Sequence, residues 1–220
     1  MKTVKFLFLI IAVSLISFAA NAQKPFAGTI TYSITYEGED LDAATRAQLP
    51  SELIVNISGS KVRNEQVSPF YNVASISNFD DGSTIILFDA MGMKYAVKQT
   101  KEEADKLNEE AGVPDPQIKF VDETKTIAGY KCKKAEISIP EDEDVYEVYY
   151  TTEIEVPKGI NDNLGFKGID GLLMEYTMNQ GGIITIVSAK EIKKGKPKGH
   201  LFSIPDDYEV KTMEEFGSMF

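Results

Sequence analysis

Thr29-Ile30-Thr31-Tyr32-Ser33-Ile34-Thr35-Tyr36 decides the fold of this chain. Ile30, Tyr32, Ile34 and Tyr36 alternate strictly with Thr29, Thr31, Ser33 and Thr35. A strand turns successive side chains to opposite faces, so this period predicts one face in a core and one in water. Leu53, Val55 and Ile57 repeat the pattern, and Lys61 to Val67 reads as a more polar strand after the Ser58-Gly59-Ser60 turn. Val73–Phe79 and Ser83–Phe88 flank Asp80-Asp81-Gly82, a hairpin signal with glycine where positive φ is cheap. Met93, Tyr95 and Val97 continue the meander.

Further along, Ile118–Val121 predicts a strand. Thr126–Ile139 predicts two, turning near Ala128-Gly129, with Ala135, Ile137 and Ile139 on one face. Val145–Ile154 places Tyr146, Val148, Tyr150 and Ile154 inward and Glu147, Thr151 and Glu153 outward. Leu172–Met178 and Ile183–Ile192, joined by Gln180-Gly181-Gly182, carry apolar residues on both faces, which predicts cover on both sides. Helices are few. Thr100 with Glu103 forms a capping box before Lys101–Glu110, stopped by Gly112, and Thr212 with Glu215 forms another. A third short helix lies around Leu41–Leu49, ended by Pro50. The class is α+β, mainly β: roughly ten strands in a curved or partly closed antiparallel sheet with two or three short helices.

Residues 1–22 read as an export signal. Lys2 and Lys5 precede an apolar run from Phe6 to Phe18, and Ala20-Asn21-Ala22 gives the small-x-small cleavage pattern. The run falls short of the ~20 apolar residues that span a bilayer. The expected mature protein is periplasmic or secreted, one domain over residues 23–220, with no stable membrane anchor. The chain carries −11, and the signal holds two lysines and no acid, which leaves −13 after cleavage. Such a charge repels phosphate backbones and argues against nucleic acid as a partner. Cys132 is the single cysteine, so no intramolecular disulfide forms, and a buried or incidental thiol is expected there.

Catalytic chemistry has little to work with. His200 is the single histidine, which removes most triad and general-base schemes. No phosphate-binding glycine loop and no nucleophile elbow occurs. Asp80-Asp81 and Glu141–Asp144 lack the spacing of a calcium loop and read as solvated turns. Asn56-Ile57-Ser58 matches a glycosylation acceptor but sits in a strand. The expectation is a non-enzyme with no cofactor and no metal site. Apolar surface remains. Tyr32, Tyr36, Tyr150, Met174 and Met178 are the candidate lining of a ligand site in the sheet's concavity, methionine being adaptable there.

Four motifs carry a family resemblance. Phe166-Lys167-Gly168-Ile169-Asp170-Gly171-Leu172-Leu173-Met174-Glu175 resembles the signature of the GLPGLI family of exported Gram-negative proteins, with Asp170 where that family has proline. Ala128-Gly129-Tyr130-Lys131-Cys132-Lys133-Lys134-Ala135 and Phe202-Ser203-Ile204-Pro205-Asp206-Asp207-Tyr208 are similar to its other conserved segments, as is the Phe26-x-Gly28-x-Ile30 opening. The resemblance implies a LolA/LolB-like fold, an open half-barrel closed by helices over an apolar cavity. It brings no catalytic residues and gives Gly168, Gly171 and Leu172 a structural role. The functional expectation is an exported carrier holding a lipid or acyl group, free or on a lipidated protein. The alternative is a structural or protein-interaction module of the cell envelope.

One outcome follows from the first 22 residues. N-terminal analysis of exported protein should begin at Gln23, and a bulky residue at Ala22 should leave uncleaved precursor in the membrane. Intact Met1 on soluble exported protein would contradict the signal.

Overall fold

A computed structural model describes residues 25–39, 41–112, 114–140 and 145–218. Strand β1 (Ala27–Glu37) leads through helix α1 (Ala43–Arg46) to β2 (Glu52–Ser58). A meander follows: β3 (Lys61–Val67), β4 (Tyr71–Asn78), β5 (Ser83–Ala90) and β6 (Met93–Gln99). Helix α2 (Lys101–Ala111) precedes β7 (Gln117–Ile127), β8 (Tyr130–Ser138) and β9 (Val145–Thr151). After residues 152–171 come β10 (Leu172–Gln180) and β11 (Ile183–Lys194), then β12 (Glu209–Lys211) and helix α3 (Met213–Gly217). The twelve strands form one sheet in the order β12-β6-β5-β4-β3-β2-β1-β11-β10-β9-β8-β7. Neighbours are antiparallel except β12, which runs parallel to β6. The sheet is open and curved, and does not close into a barrel. The expected class holds, with β12 as a strand the sequence pattern did not show.

Curvature follows from connectivity. Strands β6 and β7 stand ten positions apart in the sheet order, roughly 48 Å in a flat sheet. Residues 100–116 must join them, and 11 of these are helical. At helical rise for those and full extension for the rest, the reach is about 37 Å. A flat sheet is therefore impossible. Bulges supply the bend: the register slips at Thr31/Tyr32 against β11, at Leu173/Glu175 against β9 and at Val121/Thr124 against β8.

Strand β1 lies between β2 and β11 with the predicted alternation intact: Ile30, Tyr32 and Ile34 are buried, while Thr29, Thr31 and Ser33 are half-exposed. Its apolar face begins the main core, joined by Val55, Ile57, Val62, Val148, Tyr176 and Val187; this face is the inner one. The outer face of β4–β6 carries a smaller core of Ala74, Ile76, Leu87 and Ala96. Phe202, Ile204 and Tyr208 pack on it, so the Phe202–Tyr208 motif is a strap laid across the outer face. Arg63 donates to the Leu201 carbonyl at 3.3 Å and Lys94 pairs with Asp207 at 2.7 Å, which pins the strap at two points.

Both capping boxes are present, at Thr100/Glu103 and Thr212/Glu215. Two expectations need correcting. Strand β9 ends at Thr151, and Thr151 is buried at 1% exposure, because it pairs with Leu172 where both sheet faces are covered. Cover on both sides holds for Leu172-Leu173-Met174, all buried, but not along β11, where Ile184 of the outer face is exposed. His200 lies in a short 3-10 turn, Gly199–Phe202, and is exposed. The signal segment and the acids at 141–144 lie outside the described residues.

Burial pushes the Tyr32 and Tyr176 hydroxyls well above the ordinary tyrosine range. Their folded pKa thus exceeds the unfolded value of about 10. The stability they contribute is complete below that pH and is lost as pH rises toward the folded values. Denaturant midpoints should drop as pH rises above about 10, and Tyr176→Phe should lessen the drop. A flat profile above that pH would contradict the burial of these rings.

Candidate binding face

The inner face has two halves of different character. Over β1, β11, β10, β9 and β8 it is apolar and filled by the chain itself. Residues 152–171 lie on it as a plug: Ile154, Phe166 and Ile169 are buried in the main core. The Phe166 ring meets Tyr176 edge-on at 5.3 Å. Asn161 is the internal clamp. Its amide, 4% exposed, donates to the Ile169 carbonyl at 2.8 Å and to the Gly171 carbonyl at 3.0 Å. Gly171 has φ +132°, and a Cβ there would sit 2.5 Å from the Thr151 carbonyl oxygen. Glycine is therefore required where the plug re-enters the sheet. Gly168 also holds positive φ, and Leu172 is buried. Lys167 ties the plug to Asp115, in the stretch before β7, at 2.8 Å.

The five candidate lining residues divide accordingly. Tyr32 is buried and donates its hydroxyl to the Leu173 carbonyl at 2.8 Å. Met174 is fully buried at the β10 bulge, and Tyr150 is buried with its ring 6.2 Å from that of Phe120. Met178 packs half-buried against the same core. Tyr36 also packs half-buried against this core and donates its hydroxyl to the Pro50 carbonyl at 2.9 Å. Tyr32, Tyr150 and Met174 are thus brought together as packed core. An apolar ligand seated against them would first have to displace the plug.

Within the plug itself lies a groove of about 350 Å³ lined by Ile154, Val156, Pro157, Ile160 and Ile169, with Lys158 and Asp170 at hand. A second groove of about 320 Å³ follows the β7 bulge between Glu123, Lys131, Lys133 and Glu153. On the outer face nearby, Tyr149 donates to Glu123 at 2.6 Å, and that bond holds its hydroxyl up to about 12. Lys125 and Lys134 flank the same ring.

The other half of the inner face, over β3–β6, carries no such plug among the described residues. The register places Asn64, Ser75, Ile86 and Val97 in one row and Val62, Ser77, Thr84 and Gln99 in the next. Phe88 and Tyr95 pair in a further row. Most of these side chains are half-exposed. Asn64 donates to Ser75 at 3.4 Å, and the Ser77 and Thr84 hydroxyls meet at 3.2 Å. Phe216 of α3 meets both Phe88 and Tyr95 edge-on at the rim. This is a mixed floor, in which amides and hydroxyls stand beside Val62, Ile86 and Val97, bordered by aromatic rings. Period-two reading could have found it, because Asn64, Ser75, Ser77 and Thr84 stand at core-facing parity with polar side chains.

Burial pushes the Cys132 thiol up, and its sulfur donates to the Tyr130 carbonyl at 3.4 Å. Asp80 accepts from Ser60, and Asp81 accepts from Asn78 and from the Ser83 backbone, so both acids are engaged in building the turn. Asn56 is buried and accepts from Thr29 at 2.8 Å. Among the described residues no group of three or more His, Cys, Asp or Glu is placed to hold a metal ion.

The twelve strands thus make one open, curved sheet whose inner face is divided into two halves. The chain belongs to the family of the N-glycanase peptide, N-terminal domain, whose model matches residues 93–210. Among solved structures it is similar to PNGF-II in two crystal forms, at TM-score 0.54 and 19% and 18% identity. The match covers 88% of this chain and 33% and 32% of the other, so this chain spans about a third of PNGF-II. That likeness shows the fold. LprF from Mycobacterium bovis matches over 83% of this chain and 90% of its own, at TM-score 0.33 and 11% identity. A beta-barrel-like protein of a domain of unknown function from Brucella abortus matches over 78% and 99%, at TM-score 0.33 and 7% identity. No curated protein matches. The likeness to GLPGLI proteins rests on the motifs alone.

Asn161→Ala would leave two buried carbonyls without their donor. The expected cost is about 1–3 kcal/mol in denaturant unfolding, with faster amide exchange across residues 160–171. An unchanged midpoint and unchanged exchange would show that the clamp does not hold the plug.

Proposed function

We propose that this chain is an exported, non-catalytic binding module, and that its ligand is the N-linked glycan of a glycopolypeptide held on the open half of the inner face. One observation carries the reading. The fold fills the apolar half of its inner face with its own plug and leaves the half lined by Asn64, Ser75, Ser77, Thr84 and Gln99 open. Sugars offer hydroxyls and flat apolar ring faces. Amides and hydroxyls match the first, and the rings of Phe88 and Tyr95 match the second. The family name supports the same ligand class, since it is that of an N-glycanase's N-terminal domain. Nothing in this reading requires the module to cleave what it binds.

A second reading keeps the carrier role for a lipid or acyl group, free or on a lipidated protein. The 350 Å³ groove within the plug favours it, with five apolar residues along its wall. The two readings place the ligand on different halves of the inner face.

Titration calorimetry with an N-glycosylated peptide, its deglycosylated counterpart and a long-chain fatty acid separates them. The glycosylated peptide should bind and the bare peptide should not. Ser75→Arg should weaken that binding at least tenfold while Ile160→Arg leaves it unchanged. Equal binding of both peptides, or of neither, would overturn the glycan reading. Fatty-acid binding lost in Ile160→Arg would establish the carrier in its place.

A further inference from the structure

Two adjoining hairpin tips carry large apolar side chains into water. The β3–β4 tip holds Phe70 and the β5–β6 tip holds Met91. They are neighbours by register: Tyr71 pairs with Ala90, so Phe70 and Met91 are the next residues outward on paired strands. Phe70 is 58% exposed and Met91 86%, with Val67 and Met93 exposed beside them. A cluster of this kind at one rim is unusual on a soluble surface and marks a contact site.

Both tips are built to present these residues. Ser68 is buried, and its hydroxyl accepts from the Phe70 and Tyr71 backbone N–H groups at 3.2 and 3.1 Å. Its own N–H donates to the Tyr71 carbonyl at 2.8 Å. The turn is therefore pinned with Phe70 outside it. Met91 holds φ +51° ahead of Gly92 at +84°. That backbone suits Asn, Asp or Gly, and a methionine there is strained. No core contact repays the strain, because the side chain is almost wholly exposed. Strain kept at an exposed tip points to use.

The charges around the tips satisfy one another. Arg63 pairs with Glu65, and Lys94 pairs with both Asp89 and Asp207. The apolar prongs thus have a border whose ions are already matched, which offers little to an anionic head group or a strongly charged protein. Separate prongs, rather than a groove or a flat face, suit a soft apolar medium that closes round each side chain. We propose that this rim is a membrane-contact site that inserts Phe70 and Met91 into the interfacial layer of a zwitterionic lipid bilayer. The contact is reversible, since so few side chains enter. It does not depend on the glycan reading, because it uses a hairpin rim rather than the inner face.

The chain has no tryptophan, so Phe70→Trp installs a single reporter. With phosphatidylcholine vesicles, its emission should shift to the blue and the protein should float with the lipid. Leu107→Trp on exposed α2 should show no shift. F70S/M91S should weaken flotation of the otherwise unaltered chain at least tenfold without lowering its denaturation midpoint, and anionic lipid should not strengthen binding. No flotation of the unaltered chain, or equal flotation of F70S/M91S, would overturn the proposal. So would a concentration-dependent dimer that F70S/M91S abolishes while vesicles bind neither form, which would assign the tips to a protein contact.

Discussion

The shape of this protein depends on the short connection from β6 to β7. Those strands stand ten places apart in the sheet order, and residues 100–116 cannot cross a flat sheet of that width. The sheet must bend, and the three bulges at Lys190, Met174 and the Asp122-Glu123 pair let it do so. Bending creates an inner face with more apolar surface than the sheet alone can cover. Residues 152–171 cover it. Once Phe166 is seated on Tyr176 and Asn161 has closed the segment on itself, Tyr32, Tyr150 and Met174 are core.

The plug also explains why the inner face is divided into two halves rather than forming one cavity. Its Lys167 meets Asp115 just before β7, so the segment that bends the sheet is tied to the segment that fills it. The opposite half, over β3–β6, obtains its stability from the outer face. There Phe202, Ile204 and Tyr208 pack on Ala74, Ile76, Leu87 and Ala96. The two alanines leave room for the larger rings of the strap. With its core on the outside, that half can leave its inner face polar.

Much of this was legible in the sequence, for a physical reason. A strand with one wet face must alternate, and Ile30, Tyr32 and Ile34 show the consequence directly. Capping boxes are local, so Thr100/Glu103 and Thr212/Glu215 could be read without knowing the fold. The glycine requirement at Gly171 was visible in its motif, although its cause, the Thr151 carbonyl, was not. Long-range relations were hidden. Nothing near Asn161 signals that its amide will clamp Ile169 and Gly171. The apolar residues of 152–171 lack any period because they fill a space shaped by five other strands. For the same reason Tyr150 and Met174 looked like walls of a cavity. Alternation shows that a side chain faces inward, but not whether the space it faces is already taken.

Thiol accessibility tests the central claim that one half of the inner face is plugged and the other open. Cys132 is buried and should stay silent toward a small thiol reagent in the folded protein. Met174→Cys places a thiol under the plug, and Ser75→Cys places one on the open floor. Ser75→Cys should react rapidly, and Met174→Cys should react only on unfolding. Equal reaction of both thiols in the folded protein would contradict the account, since it would show that the plug does not occupy the inner face.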